Sequence, residues 1–223
     1  VLNNLLNEKK TDIGLVVAEG FDYEIIDKAF KSFDNLTIYV KLCCNGTVEK
    51  NIVGSVVESL RVDLENADYE TLKELLRKPS LQMVSFTITE KGYAVVDGNG
   101  NTPAGIEADF KAGPGKATSY LGKVCAMLYE RFKAGALPVA MVSMDNCSHN
   151  GDKLKGAVTA FAKNWVDNGV CDSGFLGYVN DVSKVSFPWS MIDKITPRPA
   201  DSVMDMLVKD GIEDVDFVKR VVG

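Results

Sequence analysis

The sequence predicts an α/β fold built on a mostly parallel sheet, and three neighbouring patterns predict it. Residues 13–18 (IGLVVA) form a continuous apolar run rich in β-branched side chains, which is typical of a strand covered on both faces. Residues 68–78 carry apolar side chains at helical spacing, and residues 83–89 (MVSFTIT) return to the buried-strand pattern. A strand, a helix and a second strand in this order indicate a parallel βαβ arrangement.

Between the first strand and the first helix, the pattern predicts an antiparallel excursion. Residues 36–42 (LTIYVKL) and 52–57 (IVGSVV) both read as strands. They flank the pair Asn45-Gly46, which favours a tight turn between antiparallel strands. We therefore expect a hairpin that does not belong to the parallel sheet.

The second half of the chain continues the alternation of helices and strands. Residues 97–116 are rich in Gly, Pro, Asn and Asp, which predicts a long surface loop. The pattern then predicts a helix over 118–134, a strand over 137–143 and a helix over 151–168. The predicted architecture is thus a mostly parallel sheet with helices on both faces.

Composition excludes several classes of protein. The 223 residues are 46% hydrophobic, enough for one large core, but no apolar run reaches the roughly 18 residues of a membrane span. The net charge of -6 disfavours a nucleic-acid partner. Five cysteines without CxxC spacing and a single histidine, His149, predict reduced thiols and no metal site. With no visible secretory leader, we expect a cytoplasmic protein.

Candidate ligand-binding residues follow the predicted strands, because ligands of parallel sheets bind beyond the carboxyl ends of the strands. A carboxylate after the first strand, Glu19 or Asp22, would accept hydrogen bonds from an adenosine ribose and repel a 2′-phosphate. An equally good interpretation is a solvated loop acid. After a later strand, Glu90 beside Lys91 suggests a functional carboxylate or a surface ion pair.

The densest polar cluster is Ser143–Gly151 (SMDNCSHNG), which ends one strand and begins a helix. An Asn amide there would donate to a carbonyl oxygen as negative charge develops on it. Local spacing alone favours a structural alternative, in which Asn150 or Ser148 caps the helix. Neither glycine-rich stretch, around Gly98 or Gly113, follows a strand and begins a helix, so the chain lacks a dinucleotide-binding fingerprint.

Three motifs together resemble the mannitol dehydrogenase family of long-chain polyol dehydrogenases, which includes mannitol 2-dehydrogenase, fructuronate reductase and tagaturonate reductase. They are residues 87–93 (TITEKGY), 143–151 and 187–197 (FPWSMIDKITP), and their order and spacing match over most of residues 80–200. The resemblance implies a Rossmann-type nucleotide-binding domain over residues 1–197 that lacks its first strand and Gly-rich loop. Residues 198–223 would be a linker towards an absent helical catalytic domain.

The resemblance also implies an activity and a set of site residues. The activity would be hydride transfer between a nicotinamide cofactor, NAD rather than NADP, and a ketose or keto-hexuronate such as fructose, fructuronate or tagaturonate. The implied catalytic residues are Asn146, at the oxyanion, and Glu90, near a lysine of the downstream domain. The implied cofactor-binding residues are Glu19, Asp22, Thr89, Asp145 and Asn146. The implied substrate residues are Asp193 and Lys194, with Lys91 and Arg198 as further cations for a hexuronate carboxylate.

One alternative function stays open at this point. The family's catalytic element, K-x4-N-x2-H, does not occur in the 223 residues, since the residue five before Asn146 is Met141. In this alternative, the chain is a non-catalytic nucleotide-binding module. For the enzyme, the implied partners are a sugar or sugar-acid substrate and the protein's own C-terminal helical domain, with no nucleic acid and no membrane. The oligomeric state is left undetermined.

Overall fold

The structure is a computed structural model that describes residues 2–192 and 200–213. The described helices are α1 (Leu2–Asn7), α2 (Ala67–Arg77), α3 (Ala104–Ala112), α4 (Tyr120–Lys133), α5 (Asn150–Asp167), α6 (Phe175–Asn180) and α7 (Asp201–Lys209). The strands are β1 (Leu15–Glu19), β2 (Thr37–Leu42), β3 (Val48–Val53), β4 (Val56–Arg61), β5 (Met83–Phe86), β6 (Val139–Ser143) and β7 (Val185–Ser186). Short helical turns cover Ile25–Phe30, Lys31–Phe33 and Glu90–Tyr93. None of the described helices is long and apolar enough to cross a membrane.

The described residues divide into two compact units, residues 2–69 with 200–213, and residues 70–192. In the first unit, β1 and β4 pair in parallel, and β2 and β3 form an antiparallel hairpin, as the sequence predicts. The backbone N–H of Cys43 donates to the carbonyl of Thr47 across the turn, at 2.9 Å. Gly46 in this turn has a φ of 82°, which glycine adopts without strain.

The prediction of one strand over residues 52–57 was wrong, because β3 ends at Val53 and β4 begins at Val56. The two residues between them bond elsewhere: the Gly54 N–H donates to the Asn3 side chain at 2.9 Å, and the Ser55 carbonyl accepts from Leu15 at 2.9 Å. The chain therefore leaves the hairpin here and joins β1.

The second unit contains a three-stranded parallel sheet in the order β5-β6-β7. Helices α4 and α5 supply much of its core, in which Leu128, Leu154, Phe161 and Trp165 have no exposed surface. These positions lie in the helices that the sequence predicts over 118–134 and 151–168. The alternation of parallel strands and helices confirms the predicted α/β fold.

The prediction of a continuous loop over residues 97–116 was wrong in its middle, where α3 forms. Pro103 precedes the helix with a φ of -57°, and Gly113 ends it with a φ of 78°. Phe110 is buried, and its ring lies 4.8 Å from the ring of Phe161. Burial of the Phe110 side chain stabilises α3. The Gly, Pro, Asn and Asp residues on either side of this helix are what made the sequence predict a loop.

Arg131 of α4 is fully buried and links the segments that precede β5 and β6. Its guanidinium donates hydrogen bonds of 2.6 to 3.2 Å to five backbone carbonyls. These carbonyls belong to Leu76, Lys78, Leu81, Leu137 and Pro138. Burial lowers the pKa of Arg131. The charge is thus balanced by carbonyl dipoles that precede β5 and β6.

Candidate functional site

The candidate site of the second unit lies at the carboxyl ends of β5 and β6, which are adjacent parallel strands. Thr89 follows β5, and Asp145 and Asn146 follow β6. Three of the residues that the sequence predicts therefore share one edge of the sheet. Asp193 and Lys194, predicted at the substrate, and Arg198 lie outside the described residues.

The carboxylate of Asp145 joins the loops that follow the two strands. Its Oδ2 accepts a hydrogen bond from the backbone N–H of Ile88 at 3.0 Å, and its Oδ1 accepts one from Thr89 at 2.9 Å. The hydroxyl of Tyr93 also donates to Oδ2 and lies 2.8 Å from Ser143 Oγ. Burial and the bond to Asp145 raise the pKa of Tyr93, so the hydroxyl keeps its proton.

Thr89 has an unusual backbone conformation, with φ 64° and ψ 161°. This region is populated almost only by glycine, and a non-glycine residue in it costs about 1–3 kcal/mol. The cost is higher for a β-branched residue, whose side chain crowds its own backbone. The Thr89 side chain is exposed, and its hydroxyl makes no hydrogen bond with the residues that the structure describes.

Asn150, the first residue of α5, is buried and ties a third segment to the site. Its amide nitrogen lies 3.1 Å from the carbonyl oxygen of Asp145 and 3.0 Å from that of Ser190, and its Oδ1 accepts from the Ser190 N–H at 3.1 Å. The segment that contains Phe187 and Ser190 lies close to α5 because Gly151 has no side chain. A Cβ at Gly151 would lie 2.5 Å from the Phe187 carbonyl oxygen.

Neither Asn150 nor Ser148 occupies the N-cap position of α5, although Asn150 Oδ1 accepts a hydrogen bond from the Gly151 N–H in the first turn at 2.8 Å. The residue before the helix is His149, which has a left-handed φ of 52° and makes no capping hydrogen bond through its side chain. Its ring instead stacks on Trp189, with centroids 4.4 Å apart. Sequence reasoning missed the roles of Asn150, Ser190 and Tyr93, although the pair Asn150-Gly151 was a signal of close approach.

Asn146 and Glu90, the two predicted catalytic residues, both face solvent. The Asn146 side chain is exposed, and its amide makes no hydrogen bond within the described part of the chain. Glu90, whose side chain is 63% exposed, forms an ion pair with Lys153 of α5 rather than with Lys91. The hydrogen bond with Glu90 raises the pKa of Lys153. The Asn146 amide is therefore available to a ligand, whereas Glu90 has a partner of its own.

The first unit carries the two acids predicted to bind a ribose, and both shape the loop after β1. Glu19 Oε1 accepts hydrogen bonds from the backbone N–H groups of Gly20 and Phe21 at 2.8 Å, and of Asp22 at 3.4 Å. Asp22 is exposed, and its Oδ1 accepts from the N–H of Glu24 at 3.1 Å. Both acids thus have a local structural role, and ribose binding stays a prediction.

A cavity of about 320 Å³ opens at the opposite, amino end of the second unit's sheet, beside Gln82, Pro138 and Lys184. Ligands of parallel sheets bind at the carboxyl ends of the strands, so position argues against this cavity. The cluster around Asp145 and Thr89 is the better candidate.

Comparison with known proteins identifies the family. Residues 2–219 match the family model described as the mannitol dehydrogenase Rossmann domain. The chain is 48% identical over 217 residues to a D-mannonate oxidoreductase of Thermotoga maritima, covering 97% of this chain and 40% of that protein. It is 30% identical over 212 residues to a mannitol 2-dehydrogenase of Cereibacter sphaeroides, covering 89% of this chain and 42% of that protein.

A solved structure agrees with these matches. The chain resembles Pseudomonas fluorescens mannitol 2-dehydrogenase, solved as a ternary complex with NAD and D-mannitol, with a TM-score of 0.75 and 27% identity. The match covers 93% of this chain and 41% of that structure, so the chain spans less than half the length of these relatives. The Rossmann-type fold that the resemblance implies is thereby confirmed, and the chain belongs to the mannitol dehydrogenase family, of which it carries the Rossmann domain.

Proposed function

We propose that the chain is the nucleotide-binding part of an NAD-dependent dehydrogenase that interconverts a keto-hexuronate or ketose and the corresponding aldonate or polyol. The observation that carries the proposal is the exposed amide of Asn146, which has no hydrogen-bond partner among the described residues and follows Asp145, whose carboxylate joins the end of β6 to the loop after β5. A hydrogen-bond donor on a rigid support is what the stabilisation of a developing oxyanion requires.

Among substrates, we favour the keto-hexuronate fructuronate. The relative at 48% identity is named for D-mannonate, whereas the relative at 30% identity is named for mannitol. A hexuronate carboxylate needs a cationic partner, and Lys91 and Lys194 are the candidates within or beside the site motifs. Fructose and tagaturonate stay as alternatives to be compared directly.

The described residues are chemically suited to a dinucleotide. In the first unit, Glu19 uses Oε1 for the loop, so Oε2 is available to a ribose hydroxyl, with Asp22 as a second acceptor. A carboxylate there would repel the 2′-phosphate of NADP, which favours NAD. In the second unit, the Asn146 amide and the Thr89 hydroxyl are exposed donors at the strand ends. When bound, the nicotinamide ring accepts or donates the hydride.

The chain's own residues would act on the substrate oxygen and its proton. Asn146 would donate to the carbonyl oxygen as negative charge develops there during reduction. Glu90, exposed at the strand end, would pass a proton between solvent and a lysine of the downstream domain. Asp193 would line the substrate side.

The remaining parts of the enzyme would come from outside these 223 residues. Among the described strands, β1 pairs only with β4, and β5 pairs only with β6, so each leaves one edge open. We expect a strand and its Gly-rich loop from upstream residues, which would bind the pyrophosphate. We also expect a helical domain after residues 198–223 to supply the lysine, asparagine and histidine of K-x4-N-x2-H.

Steady-state oxidation of NADH by the complete protein tests the proposal. Fructuronate, tagaturonate and fructose should be compared at equal concentrations, with NADPH as the alternative cofactor. We expect the highest kcat/KM with fructuronate and NADH. Binding of NADH without turnover of any of the three would support the non-catalytic module instead.

A further inference from the structure

We propose that Asp145 and Tyr93 are positioning residues that hold Thr89 in its strained conformation, so that the Thr89 hydroxyl meets the carboxamide of the nicotinamide ring. The inference rests on the proposed function and names a contact within it. Its physical basis is the backbone of Thr89, whose φ of 64° and ψ of 161° belong to a region that glycine alone adopts readily.

The strain is held by a specific set of hydrogen bonds. Both oxygens of Asp145 accept from the loop after β5, through the N–H groups of Ile88 at 3.0 Å and Thr89 at 2.9 Å. The Tyr93 hydroxyl also donates to Asp145 Oδ2 and lies 2.8 Å from Ser143 Oγ, at the end of β6. The loop after one strand is thus fastened to the end of its neighbour.

The threonine at this position lowers stability relative to glycine, so a role in ligand binding is the better explanation for it. Glycine would adopt the same backbone without a steric penalty, and threonine occupies it with an exposed side chain. Backbone strain concentrates at ligand-binding sites, where the surrounding structure enforces it. The hydroxyl both donates and accepts, and it has no hydrogen-bond partner among the described residues.

The carboxamide of a nicotinamide ring suits this hydroxyl, because it offers one carbonyl acceptor and one NH2 donor. The position at the carboxyl end of β5, one strand away from Asn146, is where the reacting end of the cofactor would lie if Asn146 serves the substrate oxygen. The adenosine end would not contact Thr89. The contact should therefore affect ligands with a nicotinamide ring and spare those without one.

Titration of the complete protein with NADH and with ADP-ribose, which lacks the nicotinamide, tests this inference. Replacing Tyr93→Phe, and separately Thr89→Ala, should weaken NADH binding about tenfold and change ADP-ribose binding less than about twofold. Thr89→Ala removes an exposed hydroxyl that has no partner in the described structure, so it remains informative if Tyr93→Phe folds poorly.

Tyr178→Phe is the matched control, because it removes another buried tyrosine hydroxyl, which donates to the Leu137 carbonyl at 2.8 Å near the start of β6. It should leave both affinities unchanged. A rescue completes the design. Asp145→Asn should lower the thermal unfolding midpoint and weaken NADH binding, because an amide NH2 cannot accept the hydrogen bonds that one carboxylate oxygen accepts. Adding Thr89→Gly should raise the midpoint again without restoring NADH affinity, because glycine removes the strain and also the hydroxyl.

The outcomes separate this inference from the proposed function. If the unmodified protein binds neither NADH nor ADP-ribose, the proposed function fails. If it binds both, and Thr89→Ala leaves NADH affinity unchanged or weakens the two ligands equally, the positioning role is wrong while the proposed function stands.

Discussion

Replacing Asn146 with alanine in the complete protein is expected to lower kcat by about 10²-fold or more, because a donor to the developing oxyanion is lost. The side chain is exposed and makes no hydrogen bond with the described residues, so the change should leave the free energy of unfolding unaltered. Steady-state kinetics of ketose or keto-hexuronate reduction, together with thermal unfolding, measure the two effects on the same sample.

Asn150→Ala is the control, for which we expect a loss of stability to be the main effect. This amide is buried and bonds the carbonyls of Asp145 and Ser190, so its loss should destabilise the protein by about 1–3 kcal/mol. Turnover of Asn146→Ala within a factor of about two of the unmodified protein would contradict the oxyanion role. A loss of kcat in Asn146→Ala that comes with a loss of stability as large as that of Asn150→Ala would also contradict the oxyanion role.

Replacing Arg131 with methionine is expected to destabilise the protein by about 3–5 kcal/mol, because several buried carbonyl groups lose their donor and each unsatisfied buried group costs about 1–3 kcal/mol. The five carbonyls that Arg131 serves would lose their donors, and a methionine fills the space without offering any. Trp165 has no exposed surface, so its fluorescence during urea unfolding reports on this unit.

Arg131→Lys separates charge from geometry. Lysine keeps the positive charge but cannot reach carbonyls that the planar guanidinium spans, so we expect a loss of about half that size. A destabilisation below about 1 kcal/mol for the methionine variant would show that water replaces the guanidinium at no cost, contrary to the structural role.

The parallel strands, the hairpin and the long helices are predictable from sequence because each follows a local rule. Residues 13–18 and 83–89 read as buried strands, and β1 and β5 form within them. The pair Asn45-Gly46 marks the turn of the β2-β3 hairpin. The predicted helix over 151–168 is α5 to within one residue at each end.

Other parts depend on contacts between distant residues and could not be predicted. Helix α3 forms because Phe110 packs on Phe161, fifty-one positions further along the chain. The break between β3 and β4 follows from the bonds that Gly54 and Ser55 make outside the hairpin. No local pattern at these positions indicates either partner.

The candidate site shows the same division. Its position after β5 and β6 follows from a general rule of parallel sheets, and the sequence motifs mark Thr89, Asp145 and Asn146. The hydrogen bonds from Tyr93 and the backbone of Thr89 to Asp145 depend on how two loops meet. Cofactor binding by Asp145 stays a prediction, and its hydrogen bonds to Ile88, Thr89 and Tyr93 are what the sequence did not indicate.

Transfer of deuterium from NADH that carries two deuterium atoms at C4 tests the proposed hydride transfer, whichever face of the nicotinamide ring is used. The complete protein should be incubated with this cofactor and fructuronate, and the product analysed by mass spectrometry and NMR. We expect an aldonate that carries one deuterium on the former carbonyl carbon. A protein that binds NADH tightly and yields no labelled product with fructuronate, tagaturonate or fructose would contradict the proposed hydride transfer.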